Sequence, residues 1–385
     1  MSVDNVEIMI KAILTTMPFF TSLFWCILIL LSSKRDERDK RALALFMFVA
    51  SMLYLCHSAY FNGETALIPF TDTVYSFSTL AVFPLYYYYI IQITSKEGNL
   101  SFTQYIFLLP SLLCSIAIGV LYFLMPSRDT TLWIEEYLSG ISLTDSKWID
   151  LQWKIHKTVS LCFGLIIIPV TWMGIKRIRK YNSIIENYYS NIEGKTLESM
   201  SMVMSLFIVT SLVAATANMI GKVNFANSMW QLMVPSVIFS VLIFFLGYTG
   251  FNHNFTMENH TQEQKNDIYS DSNDRDLLSK MVKLMEKDKL YLKPDLKVSD
   301  LASILNTNRT YISRTINREL GISFCEWTNK YRVEYAKQLL DSYRESNSKV
   351  YMKEILLQSG FVSEASFFRI FKKNTGLSPL SWMKR

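Results

Sequence analysis

The side chains best placed to do chemistry in this chain are cationic, and they recur. ISRTINRELGIS, starting at Ile312, returns as FFRIFKKNTGLS, starting at Phe367, at a spacing of about 55 residues. In that register Arg314 matches Arg369, Ile316 matches Phe371, Arg318 matches Lys373, Gly321 matches Gly376 and Ser323 matches Ser378. Guanidinium and ammonium groups are donors for anions, and the repeat offers a similar set twice. The charge agrees. Residues 275–385 hold about 21 Lys+Arg against about 12 Asp+Glu, roughly +9. The whole chain carries +6, so everything before Arg275 sums to about −3. On charge alone, a polyanion and a surface of acidic lipid headgroups fit this excess equally. Other chemistry is thinly provided. Cys26, Cys56, Cys114, Cys162 and Cys325 have neither metal nor disulfide spacing and read as small buried hydrophobes. No metal, no cofactor and no catalytic constellation is expected, so the chain does not read as an enzyme.

Each copy needs elements to hold it. Each is a helix that stops at a glycine able to take the left-handed cap conformation, and each follows a short helix and a tight turn. In the first copy VSDLASIL (298–305) precedes Asn306, Thr307 and Asn308, and the next helix starts at Arg309. Ser299 is the predicted N-cap. Leu301, Ile304, Leu305, Ile312 and Ile316 form the predicted apolar seam, Ala302 is small where the helices cross, and Asn306 tolerates the left-handed turn geometry. In the second copy YMKEILLQ precedes Ser359, Gly360 and Phe361, with a helix from about Ser363. These are two helix-turn-helix units. FCEWTNKYRVEYAKQLL (324–340) has helical periodicity and is predicted to be a rigid connecting helix.

With these motifs the region from Arg275 to Arg385 resembles the DNA-binding domain of the AraC family of bacterial transcription regulators. The residues that carry the resemblance are Leu301, Ala302, Tyr311, Ile312, Ser313, Arg314 and Gly321 in the first unit. Arg332 and Ala336 carry it in the connecting helix. In the second unit they are Glu354, Ile355, Gly360, Phe361, Phe367, Arg369, Phe371, Lys372, Lys373, Gly376, Ser378 and Pro379. The resemblance implies double-stranded DNA as partner, with the two recognition helices in successive major grooves about 34 Å apart. The base-reading candidates are then Arg309, Thr310, Ser313, Arg314 and Asn317, and in the second unit Glu364, Ala365, Phe368 and Arg369. Arg314 and Arg369 suit a bidentate contact to guanine. Arg318, Lys372, Lys373, Lys384 and Arg385 are assigned to phosphates, which position without specifying. Two features depart from the family pattern. Leu356 stands where the family usually has alanine at the helix crossing. Glu364 and Phe368 occupy a face where polar or basic residues are common, with cytosine and the thymine methyl as their candidate contacts.

The remaining two thirds of the chain are apolar. Seven runs near the length of a membrane helix lie at about 9–32, 42–60, 73–94, 103–125, 155–175, 200–221 and 230–250. Five carry a proline, Pro18, Pro84, Pro110, Pro169 and Pro235, each expected to kink its helix. None has Asp or Glu in its core, and no pair of Asp or His residues is evident to carry proton-coupled transport or intramembrane hydrolysis. His57, Gln92, Thr216 and Asn218 are candidate cavity-lining groups, more often simple interhelical bonds. Tyr86–Tyr89 reads as an interfacial belt rather than a ligand site. Lys34, Arg35, Arg38, Lys40 and Arg41 follow the first run, and Lys176, Arg177, Arg179, Lys180 and Lys195 the fifth. By the positive-inside rule the N-terminus lies outside and the C-terminus in the cytoplasm of a bacterial inner membrane. TLWIEEYLSGISL, within the outer segment 126–154, is either an interfacial helix or a lid. The stretch 175–200 is a candidate coupling element. Residues 252–274 are polar and acidic, the composition of a tether.

The expectation is an all-α chain with three parts: a seven-helix transmembrane bundle (1–251), an acidic flexible linker (252–274) and a soluble AraC-type domain (275–385) of two helix-turn-helix units joined by a connecting helix. It implies a membrane-anchored regulator with DNA, the lipid bilayer, an unknown small-molecule or envelope signal and the transcription machinery as partners, and a homodimer as one candidate assembly. A transporter or a protein scaffold with a regulatory helical C-terminal domain is the alternative.

Overall fold

A computed structural model describes residues 3–34, 37–95, 105–139, 145–198, 200–203, 205–206, 209, 229–253, 272–346 and 351–385. The described residues are helical, with a single isolated antiparallel bridge between Tyr189 and Lys297. The chain divides into two compact units, Met1–Ile178 with Glu198–Met257, and Arg179–Leu197 with Glu258–Arg385. These limits differ from those read in the sequence. Residues 179–197, assigned there to the membrane part, pack with the C-terminal unit. Residues 272–274, assigned to the tether, open the helix Ser272–Glu286.

In the first unit five helices are long and apolar enough to cross a membrane: Val6–Ser32, Arg38–Phe61, Thr65–Thr94, Lys147–Tyr188 and Met233–Asn252. Leu109–Leu124 is apolar but shorter, and the run at 200–221 lies mostly outside the described residues. The first helix packs on the second and on Met229–Asn252, and the third on the second and on Leu109–Leu124. Gly247 and Gly250 allow the close approach: a Cβ there would overlap the Trp25 ring and the Leu43 side chain. The polarity of this unit is inverted relative to a water-soluble bundle. Ser22, Ser51, Ser76, Ser78 and Ser111 are buried, whereas Phe20, Phe24, Phe70, Phe123, Ile168 and Phe245 face outward, Phe123 at 88% exposure. Pro18, Pro84, Pro169 and Pro235 lie inside helices. Pro110 instead occupies the first turn of Leu109–Leu124, where its missing N–H breaks no bond. The tyrosine run is not a surface belt: Tyr86, Tyr87 and Tyr89 are buried, and the Tyr86 hydroxyl donates to the Met200 carbonyl at 3.3 Å.

The second unit has two cores that share one helix. Leu277, Met281 and Met285 from Ser272–Glu286 join Leu301, Ile312, Ile316, Phe324 and Trp327 in the first core. Val333, Ala336 and Leu340 join Ile355, Leu356, Phe361, Phe367 and Phe371 in the second. Fully burying one such side chain stabilises by about 1.5–3 kcal/mol, so the connecting helix Phe324–Glu345 is fixed at both ends. Arg332 on that helix is buried, donating through Nε to the Tyr291 carbonyl at 2.7 Å and through NH2 to the Lys293 carbonyl at 2.8 Å. Burial pushes its guanidinium down to about 10. The backbone groups that receive those bonds hold the turn before the first helix-turn-helix in place.

Candidate functional site

Both helix pairs form where the sequence places them. The first pairs Val298–Ile304 with Arg309–Leu320, and the second pairs Met352–Gln358 with Glu364–Thr375. Asn306 turns the first with φ +47 and Gly360 turns the second with φ +80. Asn308 and Ser363 cap the recognition helices, accepting from the Tyr311 and Ser366 amides at 3.1 and 3.2 Å. Gly321 and Gly376 end them in the left-handed region. Two local expectations fail. The cap of Val298–Ile304 is Lys297, whose amide donates to Asp300 at 3.1 Å; Ser299 lies inside the helix. Ile304 leaves the seam and is 53% exposed, because the helix ends there and the chain turns away.

On Arg309–Leu320, Thr310, Arg314 and Asn317 are exposed, and Arg309 and Ser313 are half-buried. Both are bonded by the last two residues of the helix Lys147–Tyr188. The Arg309 guanidinium bonds the Tyr188 hydroxyl. Ser313 donates to the Asn187 carbonyl at 2.6 Å, and the Asn317 amide donates to the Asn187 side-chain oxygen at 3.0 Å. On Glu364–Thr375, Glu364, Ala365 and Arg369 are exposed. Phe368 is half-buried, edge-on to Phe367 and against the second core, so it is less available to a base than its helical position implies. Lys372, Lys373, Lys384 and Arg385 are exposed. Arg318 is engaged: it pairs at 3.2 Å with Asp274, a buried carboxylate that also accepts from Thr315. The sequence reading missed that role for Asp274 because it placed the residue in the tether. Leu277, Met281 and Met285 stand at i, i+4 and i+8 and carried the signal for the helix.

A second polar site lies in the first unit. Asp72 is buried, and its two oxygens sit 3.0 and 3.1 Å from His156 Nε2. The Tyr122 hydroxyl donates to Asp72 at 2.8 Å, and Trp133 Nε1 donates to Tyr122 at 2.7 Å. The expectation of no paired Asp or His residues in this part of the chain is therefore corrected. Asp72 lies one residue before the run assigned from 73, and its partner His156 is 84 residues away. A pocket beside the pair is lined by Cys56, His57, Tyr60, Ile68, Thr71, Asp72, Tyr75 and Tyr137. Helix Ser127–Ser139 supplies Tyr137 and packs Trp133, fully buried, against Trp153 and His156. Its rings therefore pack beside the Asp72–His156 pair, an arrangement compatible with either a lid or an interfacial helix. Gln92 is buried and His57 half-buried; Thr216 and Asn218 lie outside the described residues. Among the described residues no group of three His, Cys, Asp or Glu side chains is placed to hold a metal ion.

Known proteins match the second unit. A family model described as a helix-turn-helix domain matches residues 301–385. An uncharacterized HTH-type transcriptional regulator of Staphylococcus aureus (strain COL) is 33% identical over 90 residues, which cover 23% of this chain and 11% of that protein. The uncharacterized HTH-type transcriptional regulator YisR of Bacillus subtilis (strain 168) is 32% identical over 87 residues, covering 23% of this chain and 29% of YisR. The chain thus spans less than a third of the length of these relatives. No solved structure matches. Residues 301–385 thus match a helix-turn-helix domain, and the relatives are HTH-type transcriptional regulators.

Proposed function

We propose, starting from that C-terminal domain, that the chain is a membrane-anchored one-component transcription regulator of the bacterial inner membrane. Its two helix-turn-helix units read promoter DNA, and its apolar helices carry a sensor. The observation that carries the reading is a repeated one. Arg314 and Arg369 occupy matching, exposed positions on two recognition helices whose cores share a single connecting helix. Such an arrangement offers two guanine-reading groups in a fixed relation. Membrane anchoring is supported by the five long apolar helices and their outward-facing phenylalanines, since so much exposed apolar surface is not tolerated in water. Seven spans with a cytoplasmic C-terminus remain part of the proposal, resting on the basic loops after the first and fifth runs.

The test is a promoter-reporter assay in cells carrying Arg314→Ala and Arg369→Ala chains. Regulation is expected to be lost in both; normal regulation by both sinks the DNA-binding reading. A second reading, a transporter switched by its C-terminal domain, gains one specific observation. The buried Asp72–His156 pair supplies a polar site of the sort that proton-coupled transport needs. Within the first reading the same pocket, with aromatic rings around a carboxylate, is where a cationic signal molecule would bind. Solute uptake into vesicles holding the full chain, abolished by Asp72→Asn, would favour transport.

A further inference from the structure

We infer that the segment 187–193 is a clasp that occupies the DNA-reading surface of its own domain, so that this chain regulates DNA binding by releasing it. The inference rests on the reading of Arg309–Leu320 and Glu364–Thr375 as recognition helices. Four contacts carry it, and all fall on that surface. Tyr188 holds Arg309. Asn187 holds Ser313 at 2.6 Å through its carbonyl and Asn317 at 3.0 Å through its side chain. Glu193 holds the hydroxyl of Ser363, the cap of the second recognition helix. Arg309, Ser313 and Asn317 are three of the groups assigned to base edges, spaced i, i+4 and i+8 along one face. The clasp takes the Ser313 hydroxyl proton and an N–H each from Arg309 and Asn317, so a base could engage this face fully only after those bonds are given up. Glu193 presents a carboxylate at a helix N-terminus, where DNA would present a phosphate.

The clasp has its own footing, which distinguishes it from a loop lying on a surface. The Ser190 amide donates to the Leu296 carbonyl at 3.0 Å. The Ser190 hydroxyl receives Arg332 at 3.1 Å, and its carbonyl receives the Cys325 thiol at 3.3 Å. Leu197 and Asn182 close its base through an amide–oxygen bond of 2.8 Å. In sequence the clasp begins in the last turn of the helix Lys147–Tyr188, which contains the fifth apolar run read from the sequence. The stretch singled out from sequence as a coupling element therefore includes the residues that cover the reader. With a clasped and an open state in exchange, apparent DNA affinity falls by the open fraction; a tenfold bias corresponds to about 1.4 kcal/mol.

The experiment compares the full chain, extracted in mild detergent, with the triple variant Asn187→Ala, Tyr188→Phe, Glu193→Ala. The probe is a pool of duplexes of randomised sequence. The variant is expected to retain DNA roughly tenfold more tightly than the parent. Equal retention by both, lowered in both by Arg314→Ala, would overturn the clasp and leave the DNA-binding reading standing. No retention by either above a chain lacking residues 272–385 would overturn that reading and the clasp with it. Hydrogen exchange on the unaltered chain gives an independent measurement. Amides of residues 187–193 are expected to exchange faster once DNA is bound, and unchanged protection in the DNA complex counts against release.

Discussion

At the scale of single residues, the two classes of cation on the recognition helices have separable consequences. Arg314 projects from the middle of its helix and is exposed, with a fork suited to two acceptors on one guanine. Arg314→Ala is expected to cost about 1–3 kcal/mol and to relax preference at one base pair. Lys372 is an exposed point charge near the helix end. Lys372→Ala is expected to weaken all sequences alike and to reduce the salt slope by about one. Titrations of a selected and a scrambled duplex at several salt concentrations distinguish these outcomes, and identical behaviour of the two variants would remove the distinction. Arg314, Gly321 and Arg369 were legible because a repeat displays them twice. Asp72 was not, because its carboxylate is satisfied by His156 and Tyr122, 84 and 50 residues away. The engagement of Ser313 was invisible for the same reason, its acceptor lying 126 residues upstream.

Among the elements, a turn glycine and a helix-ending glycine solve one geometric problem with different tolerances. Gly360 has φ +80, and a Cβ there would lie 2.8 Å from the Tyr291 carbonyl oxygen and 2.9 Å from Leu292. Gly321 also has positive φ, yet a Cβ there would meet nothing within 4 Å. Gly321→Ala is therefore expected to cost about 1 kcal/mol, the left-handed penalty alone. Gly360→Ala is expected to cost at least about 2 kcal/mol, because backbone must also move. Urea unfolding followed by tryptophan fluorescence measures both, and equal losses would refute the steric account. Helix identity in this domain was readable from caps, glycines and spacing. Helix boundaries were less so: Ser299 has the type of a cap but lies two residues too late, and Asp300 closes the turn onto the Lys297 amide instead. The helix Ser272–Glu286 was hidden by its acidic start, SNDRD, which continues the composition of the tether.

For the molecule as a whole, composition alone separated an apolar part from a basic one, but not where the chain changes allegiance. Residues 179–197 are basic and amphipathic, follow an apolar run and read as its cytoplasmic continuation; only packing shows that they belong with the C-terminal unit. The proposed topology requires that unit to face the cytoplasm. Alkaline phosphatase fused after Arg385 is expected to be inactive and a fluorescent protein there to be bright; the reverse pattern would end the regulator proposal. The thiol of Cys325, finally, gives the second unit a built-in clock. Burial pushes it up to about 11, and its hydrogen points at the Ser190 carbonyl, so a soluble alkylating reagent meets it only when that stretch of chain lifts away. Peptide mapping of the alkylated chain over time would report how often those departures occur across the population. The labelling rate at Cys325 is expected to rise when DNA is added, and an unchanged rate would mean the stretch stays seated while DNA is held.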